Sequence, residues 1–197
     1  MRRVSAALVL ITALGLCAAL GRAASYSFGK TTLSAGLIVI DNLTITATGS
    51  PKLVCVSPAR DMEAGTMRLD SIRAKSIRVD VIRGKGKDLI LKEALATGEV
   101  VIEARRADRQ TDPSGRPVTV ISDVHATAAS AKLQDQNTVL LTGSVVLTVT
   151  ERGKTEPVWA VQGQSVTYLL KENRIEIKGQ DGKPAELTAT SGEEEKK

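Results

Sequence analysis

The chain has 197 residues and a mass of 20.9 kDa, with 27 Lys and Arg against 22 Asp and Glu. At ~100–200 residues per domain this is one domain with appendages, which excludes a large multidomain enzyme. Arg2, Arg3 and Arg22 lie in an N-terminal stretch without acids; setting them aside leaves 24 against 22, so the basic pI is a weak argument for nucleic-acid binding by the folded part. Four aromatics, Tyr26, Phe28, Trp159 and Tyr168, are too few for the girdles of a transmembrane barrel, a single-strand stacking platform or a ring-lined sugar site.

Met1 to Arg3 is a short positive segment, followed by 17 uncharged apolar or small residues from Val4 to Leu20 and then by Gly21-Arg22-Ala23-Ala24. This pattern predicts a secretory signal over residues 1–24, cut near Ala23 or Ala24. Retention as a membrane anchor is the alternative, since 17 residues at ~1.5 Å rise reach about 26 Å of a ~30 Å hydrocarbon layer. Leu16 stands before Cys17 where lipid attachment needs a small residue. Once the signal is cut, Cys55 in the alternating run Leu53-Val54-Cys55-Val56 has no intrachain partner and reads as a buried strand residue.

From Tyr26 onward the signal is period-two alternation of Val, Ile, Leu and Thr, broken by Gly, Asn and charged turns, which predicts an all-β domain over 25–190. Along 73–87, six cations (Arg73, Lys75, Arg78, Arg83, Lys85 and Lys87) face Asp80 alone. This stretch reads either as a solvated basic face or as a phosphate or headgroup site, for which Arg73, Lys75, Arg78 and Arg83 are the candidates. Gly84-Lys85-Gly86-Lys87 lacks phosphate-loop spacing and reads as a hairpin turn. Thr97-Gly98-Glu99-Val100 recurs 45 positions later as Thr142-Gly143-Ser144-Val145, with weaker echoes at Thr48-Gly49-Ser50 and Lys178-Gly179-Gln180. A glycine recurring inside strands predicts a repeated bend, and hence hairpins stacked into a folded two-sheet slab.

The polar run Arg105 to Arg116 is expected to be a surface loop. Ala129, Ala131 and Leu133 are expected to share one face, and to lead through the turn at 134–137 to Val139, Leu141, Val145, Leu147 and Val149 on that face. Gln164 to Gly179 reads as a hairpin that turns at Lys171-Glu172-Asn173, with Val166, Tyr168, Ile175 and Ile177 inward. The charged end, 191–197, is expected to be disordered.

Catalytic and metal signals are weak. The single histidine, His125, cannot form a paired-His metal site, and Ser122 and Asp123 beside it point to opposite faces of a strand. No catalytic residue, metal ligand or cofactor is assigned. The inward set Val100, Ile102, Val139, Leu141, Val145, Leu147, Val166, Tyr168, Ile175 and Ile177 serves either as a sealed core or as a lipid-contacting groove.

Ala129 to Val149, Ser165 to Gly179 and Ala96 to Glu103 together resemble the OstA-like (LptA-type) family of periplasmic lipopolysaccharide-transport proteins. The resemblance implies an antiparallel β-jellyroll, or β-taco, of a dozen or more short strands with open ends. It also implies a noncatalytic carrier that shields the acyl chains of lipopolysaccharide or another acylated lipid and docks with other OstA-like domains, or with its own copies end to end, by edge-strand addition. A membrane-anchored LptC-like relative and a ligand-free structural envelope protein are the alternatives.

Overall fold

Alternating β-branched and polar residues make each segment stable only as one side of a half-buried sheet, and short polar turns return the chain antiparallel. The computed structural model describes residues 23–55, 62–84, 89–134, 137–179 and 184–189. In chain order the strands are β1 (Ala24–Phe28), β2 (Thr31–Ala35), β3 (Leu37–Asp41), β4 (Thr44–Thr48), β5 (Lys52–Cys55), β6 (Thr66–Arg73) and β7 (Ser76–Arg83). They continue with β8 (Leu89–Thr111), β9 (Pro117–Gln134), β10 (Thr138–Glu151), β11 (Trp159–Leu169), β12 (Arg174–Lys178) and β13 (Glu186–Ala189). A 3-10 turn at Leu170–Glu172 joins β11 to β12. All pairings are antiparallel and the 13 strands form one open sheet.

The sheet is a meander folded along a corner. β2 continues into β3 through Gly36, β4 into β5 through Gly49-Ser50-Pro51, and β6 into β7 through Ala74-Lys75. The long strands β8, β9, β10 and β11 cross the same line without ending. On one side of it, the first wing orders β1, β2, β5, β6, β8, β9, β10, β11 and β13; on the other, the second wing orders β3, β4, β7, β8, β9, β10, β11 and β12.

Register makes the interior continuous. In the first wing one inner row runs from Tyr26 through Leu33, Leu53, Ile72, Ile102, Ala126, Leu147 and Val161 to Leu187. In the second, Ile40, Ile45, Val79, Ala94, Leu133, Val139, Tyr168 and Ile175 align likewise. The two faces meet in a single apolar core. Each fully buried Leu, Ile or Val contributes ~1.5–3 kcal/mol, enough in sum to hold a fold without a disulfide.

The glycine repeat marks the corner. Gly49 and Ser50, Gly98 and Glu99, and Gly143 and Ser144 each form a consecutive left-handed pair, with φ of +76° and +59°, +76° and +49°, and +80° and +49°. At the second and third pairs the cross-strand register slips, at Thr97/Val100 and at Thr142/Val146, so each pair is a bulge that turns the strand. Gly36 N–H donates to the Gly49 carbonyl at 3.0 Å and Lys75 N–H to the Gly98 carbonyl at 2.8 Å, tying adjacent strands together across the bend. The fourth echo, Gly179, follows β12 where the chain passes from one wing to the other.

Two expectations are corrected. Arg105 to Thr111 is not loop: β8 runs to Thr111, and the turn is Asp112 to Arg116, where the Asp112 carboxylate accepts from the N–H groups of Ser114 and Arg116. The charges that suggested a loop neutralise one another on the sheet, Arg105 with Asp70 at 2.6 Å and Arg106 with Asp108 at 2.8 Å. Ala129 does not share the face of Ala131 and Leu133; it is exposed while Ala128 is buried, because the bulges opposite shift the phase by one residue. The turn expected at 84–87, the signal segment and the charged end lie outside the described residues, apart from Gly84, Ala23 and Ala24.

A Cβ on Gly143 would stand 2.7 Å from the Ala129 Cβ. Gly143→Ala is therefore expected to lose about 2–5 kcal/mol in urea unfolding, from a left-handed penalty of ~1–2 and an overpacking penalty of ~1–3. Ala129→Gly in the same chain should restore only the overpacking part; full restoration would contradict the assignment of the corner conformation.

Candidate functional site

The inward residues come together as the sequence suggested. Val100, Ile102, Val139, Leu141, Val145, Leu147, Val166 and Tyr168 are all buried, none more than 2% exposed, so the middle of the slab is filled by side chains. Ile175 and Ile177 are half-buried, because β12 is the last strand of its wing. The same rows are therefore closed centrally and open terminally. At one end Tyr26 and Ile38 are half-buried and Ile40 is 51% exposed; at the other, Leu187 is 67% exposed. A cavity of ≈490 Å³ occupies that second end, lined by Trp159, Ile175, Ile177 and Leu187, with Arg106 and Asn173 on its border.

Along the seam opposite the corner the wings touch through few polar contacts. The turn Leu170–Glu172 of the second wing packs against β6 of the first. Beside it, the Asn173 amide donates to the Asp108 carboxylate at 3.1 Å, the carboxylate that also receives Arg106. Between these lips lies a cavity of ≈440 Å³ whose apolar lining is Met67, Leu69, Leu91, Leu133 and Leu170. Lys30, Arg68 and Lys171 stand around it, together with Thr31, Thr66 and Asn137.

Cys55 also borders this cavity. Its thiol is pushed up to about 11, first by burial and second by the charge of Asp70, with a Thr31 hydrogen bond offsetting in part. It is thus a neutral, unreactive thiol at pH 7. The Tyr168 hydroxyl is buried in the core without a hydrogen-bond partner among the described residues, and burial holds its pKa far above the ordinary tyrosine range.

The four basic candidates are not brought together. Arg73 to Arg83 spans ten residues of a bent strand pair, about 33 Å of chain at ~3.3 Å per residue. Arg73 pairs with Glu103 at 2.5 Å, Lys75 with Glu99 at 2.5 Å and Arg78 with Asp80 at 3.4 Å, all on outer surfaces, and Arg83 stands exposed at the end of β7. A hydrogen bond from Ser71, followed by the charges of Arg73 and Lys52, holds the Glu103 carboxyl below the usual carboxylate range. His125 is exposed on β9, between Glu103 and Thr148 on the neighbouring strands. Sequence reasoning missed Lys30 and Lys171, which sit in hairpin turns 141 residues apart.

No protein-family model and no curated protein matches the chain. Among solved structures it is similar to the crystal structure of LptH, the LptA-homologous periplasmic component of the lipopolysaccharide transport device from Pseudomonas aeruginosa, with a TM-score of 0.52 and 10% identity over 82% of this chain and 95% of that one. At that identity the likeness establishes the fold alone: an open, all-β, LptA-like jellyroll.

Two outcomes follow. Because the folded Cys55 thiol titrates above its ordinary value of 9.0, the stability gained from a neutral thiol is present below pH 9 and declines as pH rises toward 11. Alkylation of Cys55 in the folded protein should accordingly rise about tenfold per pH unit through pH 10, and a plateau near pH 9 would contradict this environment. Tyr168→Phe is expected to raise unfolding stability by about 1 kcal/mol, since it removes a desolvated hydroxyl that gains no hydrogen bond; a loss of similar size would reveal a partner in the native state.

Proposed function

We propose that this protein is a noncatalytic periplasmic carrier that shields the acyl chains of lipopolysaccharide or a similar acylated lipid. The observation that carries this reading is the pair of unbroken apolar rows that cross both wings and emerge at both ends, through Tyr26, Ile38 and Ile40 and through Ile175, Ile177 and Leu187. Acyl chains need only nondirectional burial, worth ~0.8 kcal/mol per CH₂, and these rows offer almost nothing else. Similarity to a lipopolysaccharide-transport component supports the choice of cargo. Among the described residues no helix is long and apolar enough to cross a membrane.

With the middle filled, a lipid of several chains enters by parting the wings at the seam. Among the described residues the seam contacts include a 3-10 turn resting on β6, the β1–β2 turn beside the start of β8 and one amide hydrogen bond, whereas four strands run through the corner. The corner then acts as the hinge and the seam as the opening.

At the ends, β1, β3, β12 and β13 offer unpaired backbone groups for strand addition. The inner faces of β3 and β12 match, Ile38 and Ile40 with Ile175 and Ile177. Their outer faces do not: Leu37 and Val39, 58% and 53% exposed, would meet Arg174, Glu176 and Lys178. The mismatch favours another domain of the same fold over a second copy at the β3 edge. The filled middle also supports a second reading, a ligand-free structural envelope module.

Purification of the full chain without detergent from a lipopolysaccharide-producing periplasm, with mass spectrometry of bound lipids, separates the two readings. The carrier reading expects near-stoichiometric acylated lipid, reduced several-fold in Ile177→Asp and Leu187→Asp variants that remain folded. Folded, lipid-free protein that also ignores added lipopolysaccharide supports the structural module instead. Retention in membranes after a salt wash would identify the anchored form.

A further inference from the structure

We propose that the lateral cavity between the 3-10 turn and β6 is a site for a single-chain anionic amphiphile, an acyl or alkyl chain that carries a carboxylate or phosphate, and that this ligand enters without the wings parting. The cavity exists in the closed molecule. Its ≈440 Å³ falls within the ~300–1,000 Å³ of small-ligand sites and is far from room for the several chains of a lipid A.

Its chemistry is polarised. Five of its lining side chains are Met or Leu drawn from both wings, and an extended chain laid among them would lose water along the face it buries. Three cations border the opening, and no carboxylate lines it among the described residues. Arg68 is held by Asp70 at 3.0 Å, but the same carboxylate receives Arg105 at 2.6 Å, so one negative charge serves two guanidiniums. Lys30 and Lys171 are exposed and have no ion-pair partner among the described residues. An ammonium pair flanking an apolar well selects a head that is anionic, and Arg68 adds a planar donor suited to either carboxylate or phosphate.

This inference does not rest on the carrier reading, and the test separates them. Calorimetric titration of the full chain below the micellar concentration would use dodecanoate, dodecyl phosphate and dodecyltrimethylammonium, with lipid A in a separate arm. The proposal expects one-to-one binding of the two anions and at least tenfold weaker binding of the cation. Their relative affinities tell a carboxylate head from a phosphate head. Lys30→Glu with Lys171→Glu should weaken anion binding at least tenfold while circular dichroism stays unchanged. Bound dodecanoate should also slow alkylation of Cys55 in the wild-type protein, a readout that needs no substitution. Equal binding of the cationic amphiphile, or anion binding unaffected by the two charge reversals, would overturn the proposal. Binding of lipid A without either anion would overturn it while leaving the carrier reading intact, and absence of all binding would remove both.

Discussion

The molecule depends on a backbone conformation most residues avoid. Two consecutive left-handed residues, repeated at Gly49-Ser50, Gly98-Glu99 and Gly143-Ser144, turn successive legs of the meander at the same height and so define a straight corner. Left-handed geometry costs an ordinary residue ~1–2 kcal/mol, and the second member of each pair bears that cost. Pairing across the corner and burial on both wings offset it. Move one bend by a residue and the inner row of that strand would face solvent, since the side-chain period is two.

From the corner follows an asymmetry of strength. On the corner side the wings are one continuous sheet, with strands β8, β9, β10 and β11 running through it. On the seam side, among the described residues, they meet through short turns and an amide hydrogen bond. A hydrogen bond to a carboxylate contributes ~1.5–3 kcal/mol, so the polar contacts at the seam resist parting far less than four continuous strands do at the corner. The ends differ again: apolar rows run out to Ile40 on one side and Leu187 on the other, where neither wing has a further strand. One architecture thus combines a corner, a seam and two open ends, each with its own chemistry.

Much of this was legible in the residues. Alternation identified the strands, and the glycine recurrence at 98 and 143 identified the bend, because both signals are local and repeat. The inner set read from Val100 to Ile177 lies on the inner faces for the same reason. Two errors came from reading a segment without its neighbours in the sheet. Arg105 to Thr111 is strand although charged, because Asp70 and Asp108, one of them 35 residues away in sequence, neutralise its arginines. Ala129 left its face because a bulge in a neighbouring strand shifts phase, which no reading of its own strand reveals. The basic candidates at 73–83 are neighbours in sequence, but an extended strand separates them, whereas Lys30 and Lys171 meet only through topology. The signal that could have found them is distance from the corner: Lys30 lies six residues before Gly36, and Lys171 eight after Gly163, which pairs with Val145 beside the third bend, so both fall on the seam.

The most direct test of the account is the distance across the seam when a lipid is bound. Spin labels at Arg109 and Glu172 on the two lips, and a second pair at Ser50 and Lys75 on the corner, would be measured by double electron–electron resonance in a Cys55→Ser background, with and without lipid A. The account predicts that the lip pair lengthens as lipid binds while the corner pair is unchanged. Stoichiometric lipid binding with an unaltered lip distance would contradict it.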